Sequence, residues 1–168
     1  MTAAAFAQNR SRAEDVQAHL IACAKTFTPP LDRRVAVPNY AAKLAARAER
    51  FEAWDGPALI GLVAVYCNDP ARICAFVTSV SVVPERTREG LGGRLLAAAI
   101  AHTRGLSFAR IALSVDREAA ALGLYHRLGF AEDGRDGTTL HLSLDLAAPR
   151  PGADKGATSQ DRGREARS

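Results

Sequence analysis

The chain has 168 residues, 48% of them apolar and 24% charged, with a net charge of +4. That length suits one domain with a substantial buried core, and the composition is that of a globular protein rather than a fibrous one. The longest apolar run, Ala58 to Tyr66, is too short to cross a bilayer, and the basic residues are not interleaved with aromatics, so neither a membrane nor nucleic acid is expected as a partner.

The first residues form a short Ala/Phe run that stops at Gln8-Asn9-Arg10, too brief for a secretory signal. Residues 2–7 lean towards helix and predict no convincing first strand. A helix is expected over Arg12 to Phe27, with Val16, Leu20, Ala24 and Phe27 on one face, Ser11 as N-cap and Thr28-Pro29-Pro30 as its end. Leu31 to Pro38 reads as extended. Asn39 then caps a second predicted helix, in which Tyr40, Leu44, Arg47 and Phe51 recur at helical spacing.

Asp55-Gly56-Pro57 marks a turn into two β-rich runs, Ala58 to Cys67 and Ile73 to Val83, joined through Asn68-Asp69-Pro70. A helix over Gly90 to Arg104 follows, then a strand over Phe108 to Val115 and a helix over Arg117 to Leu128. Strands at Phe130 to Glu132 and Thr138 to Leu146 close the pattern, with Asp136-Gly137 as the turn between them. From Ala147 onward polar and charged residues dominate without periodicity. Residues 1–146 are therefore read as one domain and 147–168 as a disordered basic tail. Cys23, Cys67 and Cys74 form no C-x-x-C pair, so neither a disulfide framework nor a metal site is expected, and the expected location is the cytoplasm.

The chemistry concentrates between Val80 and Leu96. A strand passes through Pro84 into Arg88-Glu89-Gly90-Leu91-Gly92-Gly93 and straight into an apolar helix. Glycines at a helix entry let backbone N–H groups point outward, where the helix dipole also favours negative charge. Arg86, Arg88 and Arg94 add positive charge, and a diphosphate is the expected guest. A P-loop would need Gly-Lys-Ser/Thr, but Gly93 is followed by Arg94 and Leu95; a dinucleotide fingerprint would need glycine where Leu95 stands.

A third pattern does fit. Thr87-Arg88-Glu89-Gly90-Leu91-Gly92 resembles the coenzyme A loop Q/R-x-x-G-x-G/A of the GNAT superfamily of acyl-CoA-dependent N-acyltransferases, with Thr87 where Gln or Arg is usual. Downstream, Ala121, Leu124-Tyr125 and Gly129-Phe130 resemble the superfamily's closing motif A-x-x-L-Y-x-x-x-G-F. The resemblance covers roughly residues 57 to 146. It implies a mixed α/β (α+β) fold, with a mostly antiparallel central sheet flanked by helices, and acetyl-CoA as cosubstrate for direct transfer to an amine.

By that resemblance, Val82 and Val83 would pair with the pantetheine arm, and the amides of Arg88, Glu89, Gly90, Leu91, Gly92 and Gly93 would hold the pyrophosphate. Tyr125 would protonate the departing thiolate. Glu118 stands where many members carry an Asn. A general base is not evident, because Arg72 to Val83 and Phe108 to Val115 contain no carboxylate. Thr78, Ser79 and Ser114 could orient a water, Asp116 could serve as base or cap, and His141 could face the site or solvent. Arg33, Arg34, Tyr40 and Gly134 to Gly137 fall where acceptors are selected in the family. The expected partners are acetyl-CoA and an amine, a small primary amine in the leading reading, with a homodimer left open. A coenzyme-binding module without turnover and an acetyltransferase of protein N-termini or lysines are the competing readings.

Overall fold

The structure, a computed structural model, describes residues 3–27 and 29–147; apart from Ala147, the tail expected to be disordered lies outside them. Its centre is β3 (Ala58–Tyr66), in which Leu59 to Val65 are all buried. A strand can be apolar on both faces only when both are covered. On one side Leu59, Leu62 and Ala64 pack against α1 (Ala13–Cys23) and α2 (Val37–Arg47). On the other, Ile60, Val63 and Val65 join the larger core under α3 (Leu91–Gly105) and α4 (Leu122–Arg127).

Among the described residues seven strands make one sheet. β1 (Ala5–Gln8) lies at one edge, followed by β2 (Glu49–Asp55), β3, β4 (Cys74–Val82) and β5 (Arg110–Asp116). β7 (Thr139–Asp145) then lies between β5 and the far edge strand β6 (Ala131–Asp136). Every neighbouring pair is antiparallel except β4 and β5, which α3 connects as a parallel crossover. Among the described residues no helix is long and apolar enough to cross a membrane.

Several expected elements shift. Residues 5–8 are a strand after all, because pairing with Phe51 to Trp54 outweighs the helical leaning of alanine. Ser11 does not cap α1; its hydroxyl is committed to Glu52, while the Arg12 amide donates to the Asp15 carboxylate at 2.9 Å. The helix also ends at Cys23, with a 3₁₀ turn over Ala24–Thr26. The second helix starts at Val37, with Pro38 in its first turn where no amide is needed, so Asn39 is not its cap. A further 3₁₀ turn, Leu31–Arg33, occupies the stretch read as extended.

Phe51 lies in β2, not on α2; its helical spacing from Leu44 is coincidental. The α4 helix is also shorter than expected. Residues 117–121 form a turn instead, in which Asp116 Oδ1 accepts the Glu118 amide at 2.8 Å and Thr138 O accepts that of Arg117 at 2.8 Å.

A buried polar cluster ties the first third of the chain to the sheet. Glu52 is fully buried and accepts from the Arg10 amide (2.9 Å), the Ser11 amide (3.1 Å), the Ser11 hydroxyl (2.6 Å) and Trp54 Nε1 (3.1 Å). Arg50, 3.5 Å from the same carboxylate, donates to Ser11 and to the carbonyls of Leu44, Ala45 and Ala48. One guanidinium thus closes the last turn of α2 and holds the β1–α1 turn. A second buried tie is His19 of α1. Its Nδ1 lies 2.9 Å from Leu59 O and its Nε2 2.8 Å from Ser81 Oγ. A carbonyl can only accept, so Nδ1 carries the proton and Nε2 accepts from the serine. Burial lowers the His19 pKa to about 4, against the weaker upward pull of these two bonds.

Glu52→Ala removes the counter-charge of the buried Arg50 guanidinium and the acceptor of four donors, so we expect it to lower unfolding free energy by about 3–5 kcal/mol in urea titration. His19 has a folded-state pKa of about 4 against 6.5 when unfolded, so the unfolded chain takes up the proton first on acidification. The stability it supports is complete above pH ~6.5 and lost as pH falls towards ~4. His19→Gln should flatten the wild-type decline measured across that window.

Candidate active site

The parallel pairing of β4 and β5 is short. It runs from Cys74 opposite Arg110 to Val77 opposite Leu113, and no further. Beyond it β4 continues with β3 to Val82, while β5 stays with β7 to Asp116. The register between β3 and β4 explains the divergence. Val65 pairs with Val77 but Ala64 with Ser79, so Thr78 is an extra residue. Such a bulge bends its strand and sharpens its twist. A fork therefore opens in the middle of the sheet, and one edge of β4 is left without a strand partner.

The two valines expected to line that edge differ. The Val83 amide already donates to Ile60 O at 2.9 Å, so it points back towards β3. Successive backbone groups alternate in direction along a strand, which turns those of Val82 towards the fork.

At the mouth of the fork, Gly90 caps α3 with φ of 73°, a left-handed conformation that strongly favours glycine. The first intrahelical bond there is Arg94 N–H to Gly90 O, at 3.1 Å. The amides of Gly90, Leu91, Gly92 and Gly93 precede it and have no helical acceptor. Leu91 contributes only its backbone, since its side chain is buried in the core. Gly93 has a packing reason as well: a Cβ there would sit 3.2 Å from Leu124 Cδ1, so glycine lets α4 close against the first turn of α3. At Gly92 the nearest atom to such a Cβ is Val82 Cγ2 at 3.8 Å, and a side chain fits.

The three arginines around this turn have different employment. Arg86 is buried and holds Asp55 of β2 at 2.9 Å and Glu89 at 2.8 Å, which fixes the loop to the β2–β3 turn. The Glu89 carboxylate, its pKa lowered by the Arg86 hydrogen bond, is occupied with this strut. Arg94 sits over the ring of Phe6 in β1, its guanidinium carbon 3.9 Å from the ring centroid. Arg88 is exposed on the loop.

Tyr125 is buried in the α3–α4 core, edge-on to Phe130 at 6.1 Å. Its neighbour Leu124 packs against the start of α3, so α4 lies against the glycine-rich turn. Burial pushes its pKa up to about 12, so the ring keeps its proton at neutral pH. Glu118 is exposed and lies in the turn after β5, 3.7 Å from Arg117.

The other face of the fork carries hydroxyls. The Tyr40 hydroxyl of α2 lies 2.7 Å from Thr78 Oγ1 and 2.9 Å from Thr78 O, so the bulged residue is held by the helix. Burial raises the Tyr40 pKa. Next to it, the hydroxyls of Ser79 and Tyr66 are buried without a hydrogen-bond partner among the described residues. Buried polar atoms are seldom left unpaired, and two together mark a place where a guest or water belongs. Arg33 and Arg34 end the 3₁₀ turn before α2, and Lys43 lies 5.4 Å from the centroid of the Tyr66 ring. Tyr66 carries no signal in the sequence, because a tyrosine ending an apolar strand reads as core. Among the described residues no three His, Cys, Asp or Glu side chains form a metal-binding group.

Comparison with known proteins agrees with this geometry. The profile of the acetyltransferase (GNAT) family matches residues 15–130. Among solved structures, the PaiA N-acetyltransferase of Thermoplasma acidophilum in complex with coenzyme A superposes with a TM-score of 0.67 at 14% identity, over 84% of this chain and 99% of that one. The ribosomal-protein-S18-alanine N-acetyltransferase of Escherichia coli gives 0.67 at 18% identity, over 87% and 96%. An aminoglycoside 6'-acetyltransferase type Ii gives 0.68 at 14% identity, over 89% and 100%. No curated protein sequence matches the chain.

Proposed function

The chain belongs to the GNAT acetyltransferase family, and we propose that it moves an acetyl group from acetyl-CoA to the primary amine of a small molecule by direct transfer. The observation that carries the reading is the fork: an unpartnered β4 edge leading into the outward amides of Gly90 to Gly93. An extended arm ending in a diphosphate matches both parts at once. The Val82 backbone would pair with the arm, and the helix entry would take the phosphates.

Tyr125 supplies the proton. A phenol that stays protonated at neutral pH can give it to sulfur as the carbon–sulfur bond breaks, when charge develops there. Arg88 is the loop cation placed to meet the cofactor's negative charge, since Arg86 and Arg94 are engaged elsewhere.

The choice of acceptor rests on charge. Between residues 24 and 47 the chain carries Lys25, Arg33, Arg34, Lys43 and Arg47 against the single acid Asp32. That balance disfavours a polycation and favours an amine that also bears a carboxylate or phosphate. Fold likeness does not decide the question, because the ribosomal-protein and aminoglycoside enzymes superpose almost equally well.

Calorimetric titration with acetyl-CoA, followed by turnover on a panel of amines, tests the proposal. Saturable binding without acetylation of any amine would leave a coenzyme-binding module, and acetylation of peptides alone would move the acceptor to protein. Gly92→Asp should weaken coenzyme A binding at least about tenfold while leaving the thermal midpoint nearly unchanged, since the side chain has room but its charge opposes the phosphates. Tyr125→Phe should lower kcat about 100-fold with little change in coenzyme affinity.

A further inference from the structure

Acetyl transfer to an amine needs a proton acceptor, and the one carboxylate on either strand of the fork, Asp116, is held by Thr138 and the Glu118 amide. The geometry points to a different device: Ser114 meets the amine and passes its proton to His141 on the neighbouring strand. This inference rests on the transferase reading above.

Register and alternation place both residues. Val77 and Leu113 are the last paired positions of β4 and β5, and both side chains lie in the α3 core. The next residue on each strand, Thr78 and Ser114, therefore projects from the opposite face at the point of separation. The Tyr40 contact confirms that direction for Thr78. Ser114 faces His141 directly across the β5–β7 pairing, and its Oγ lies 2.9 Å from His141 Nδ1. The imidazole is half-buried, and its Nε2 has no hydrogen-bond partner among the described residues. One nitrogen thus reads the serine, while the other is left to exchange protons with water.

The step balances without any further reagent. The bound ammonium gives a proton to Ser114 Oγ as the serine's own proton passes to His141 Nδ1, leaving a neutral amine and an imidazolium. The amine nitrogen bonds to the acetyl carbonyl carbon and the carbon–sulfur bond breaks. Sulfur leaves with the electron pair and takes the Tyr125 proton. The new amide sheds its extra proton to water, Tyr125 regains one, and His141 discharges through Nε2. Ser114 touches the reacting nitrogen; His141 is a positioning and relay residue that acts through it.

The charged groups around the pair are few. On β5 they are Asp116, which is held by Thr138 and the Glu118 amide, and Arg110, four residues away on the same face and opposite Asp145 of β7. On β6, Gly134 lies against the ring, Asp133 is bonded to Ser143, and Glu132 and Arg135 pair with each other. No carboxylate is bonded to the imidazole, so the serine is its one polar contact among the described residues.

The test compares wild type with Ser114→Ala, His141→Ala and, as a control on the same face of β7, Ser143→Ala. Each is assayed for acetyl-CoA affinity by calorimetry and for kcat/KM from pH 5.5 to 9.5 with the best amine. Both relay variants should bind acetyl-CoA like wild type and lose about 100-fold in kcat/KM at pH 7. Their residual rate should climb with the free-amine fraction, whereas wild type levels off well below the amine's own pKa. Added imidazole should restore part of the rate in His141→Ala alone, and Ser143→Ala should match wild type. If the wild type acetylates amines but the relay variants keep its rate and profile, the relay is wrong and the transferase reading stands. A wild type that binds acetyl-CoA yet acetylates nothing overturns the transferase reading and the relay with it.

Discussion

One extra residue in β4 governs the layout of this molecule. Thr78 interrupts the register with β3, and from that point β4 turns away from β5. Without the bulge the sheet would close across its centre, and neither a strand edge nor a crotch would exist. The bulge is not left to its own strain: Tyr40 reaches from α2 to bond both the side chain and the carbonyl of Thr78. The helix pair on one face therefore braces an opening that serves the other. On the far side α3 supplies the outward amides, and Gly93 lets α4 close against them through Leu124.

Preorganisation recurs around this opening. The loop ahead of α3 is held by Arg86, whose partner Asp55 lies 31 residues earlier on the opposite side of β3. A loop fixed before its ligand arrives loses less conformational entropy on binding. The same arrangement removes Arg86 from direct phosphate recognition, a division of labour that counting arginines near a motif does not show. Arg50 and Glu52 do comparable work at the other end of the chain, where one ion pair closes a helix and pins a turn.

The second half of the chain was largely legible in the sequence. The strands around 58–67, 73–83, 108–115 and 138–146 announce themselves by β-branched and apolar runs bounded by turn residues, and Gly90 marks the entry of α3. The first half was harder for physical reasons. β1 is four residues long and alanine-rich, so its conformation comes entirely from pairing with β2. β2 itself carries Arg50 and Glu52, which read as polar surface until their burial is seen. In the proposed site, Gly90, Gly92 and Tyr125 could be singled out as candidates from local pattern alone. The pairing of Ser114 with His141 could not, because it joins residues 27 apart through strand register. Ser79 and Tyr66 likewise acquire meaning only when their neighbours prove unable to satisfy them.

The fork also has a mechanical side. The two halves of the sheet, β1 to β4 and β5 to β7, are stitched together by four residue pairs and the helices laid across them. That seam is short compared with the seven-pair ladder joining β5 to β7. Strain or heat should part the molecule there first, as a hinged plate opens at its narrowest weld. Anything that fills the fork lies between β4 and β5, so an occupied fork splints the two halves into one body.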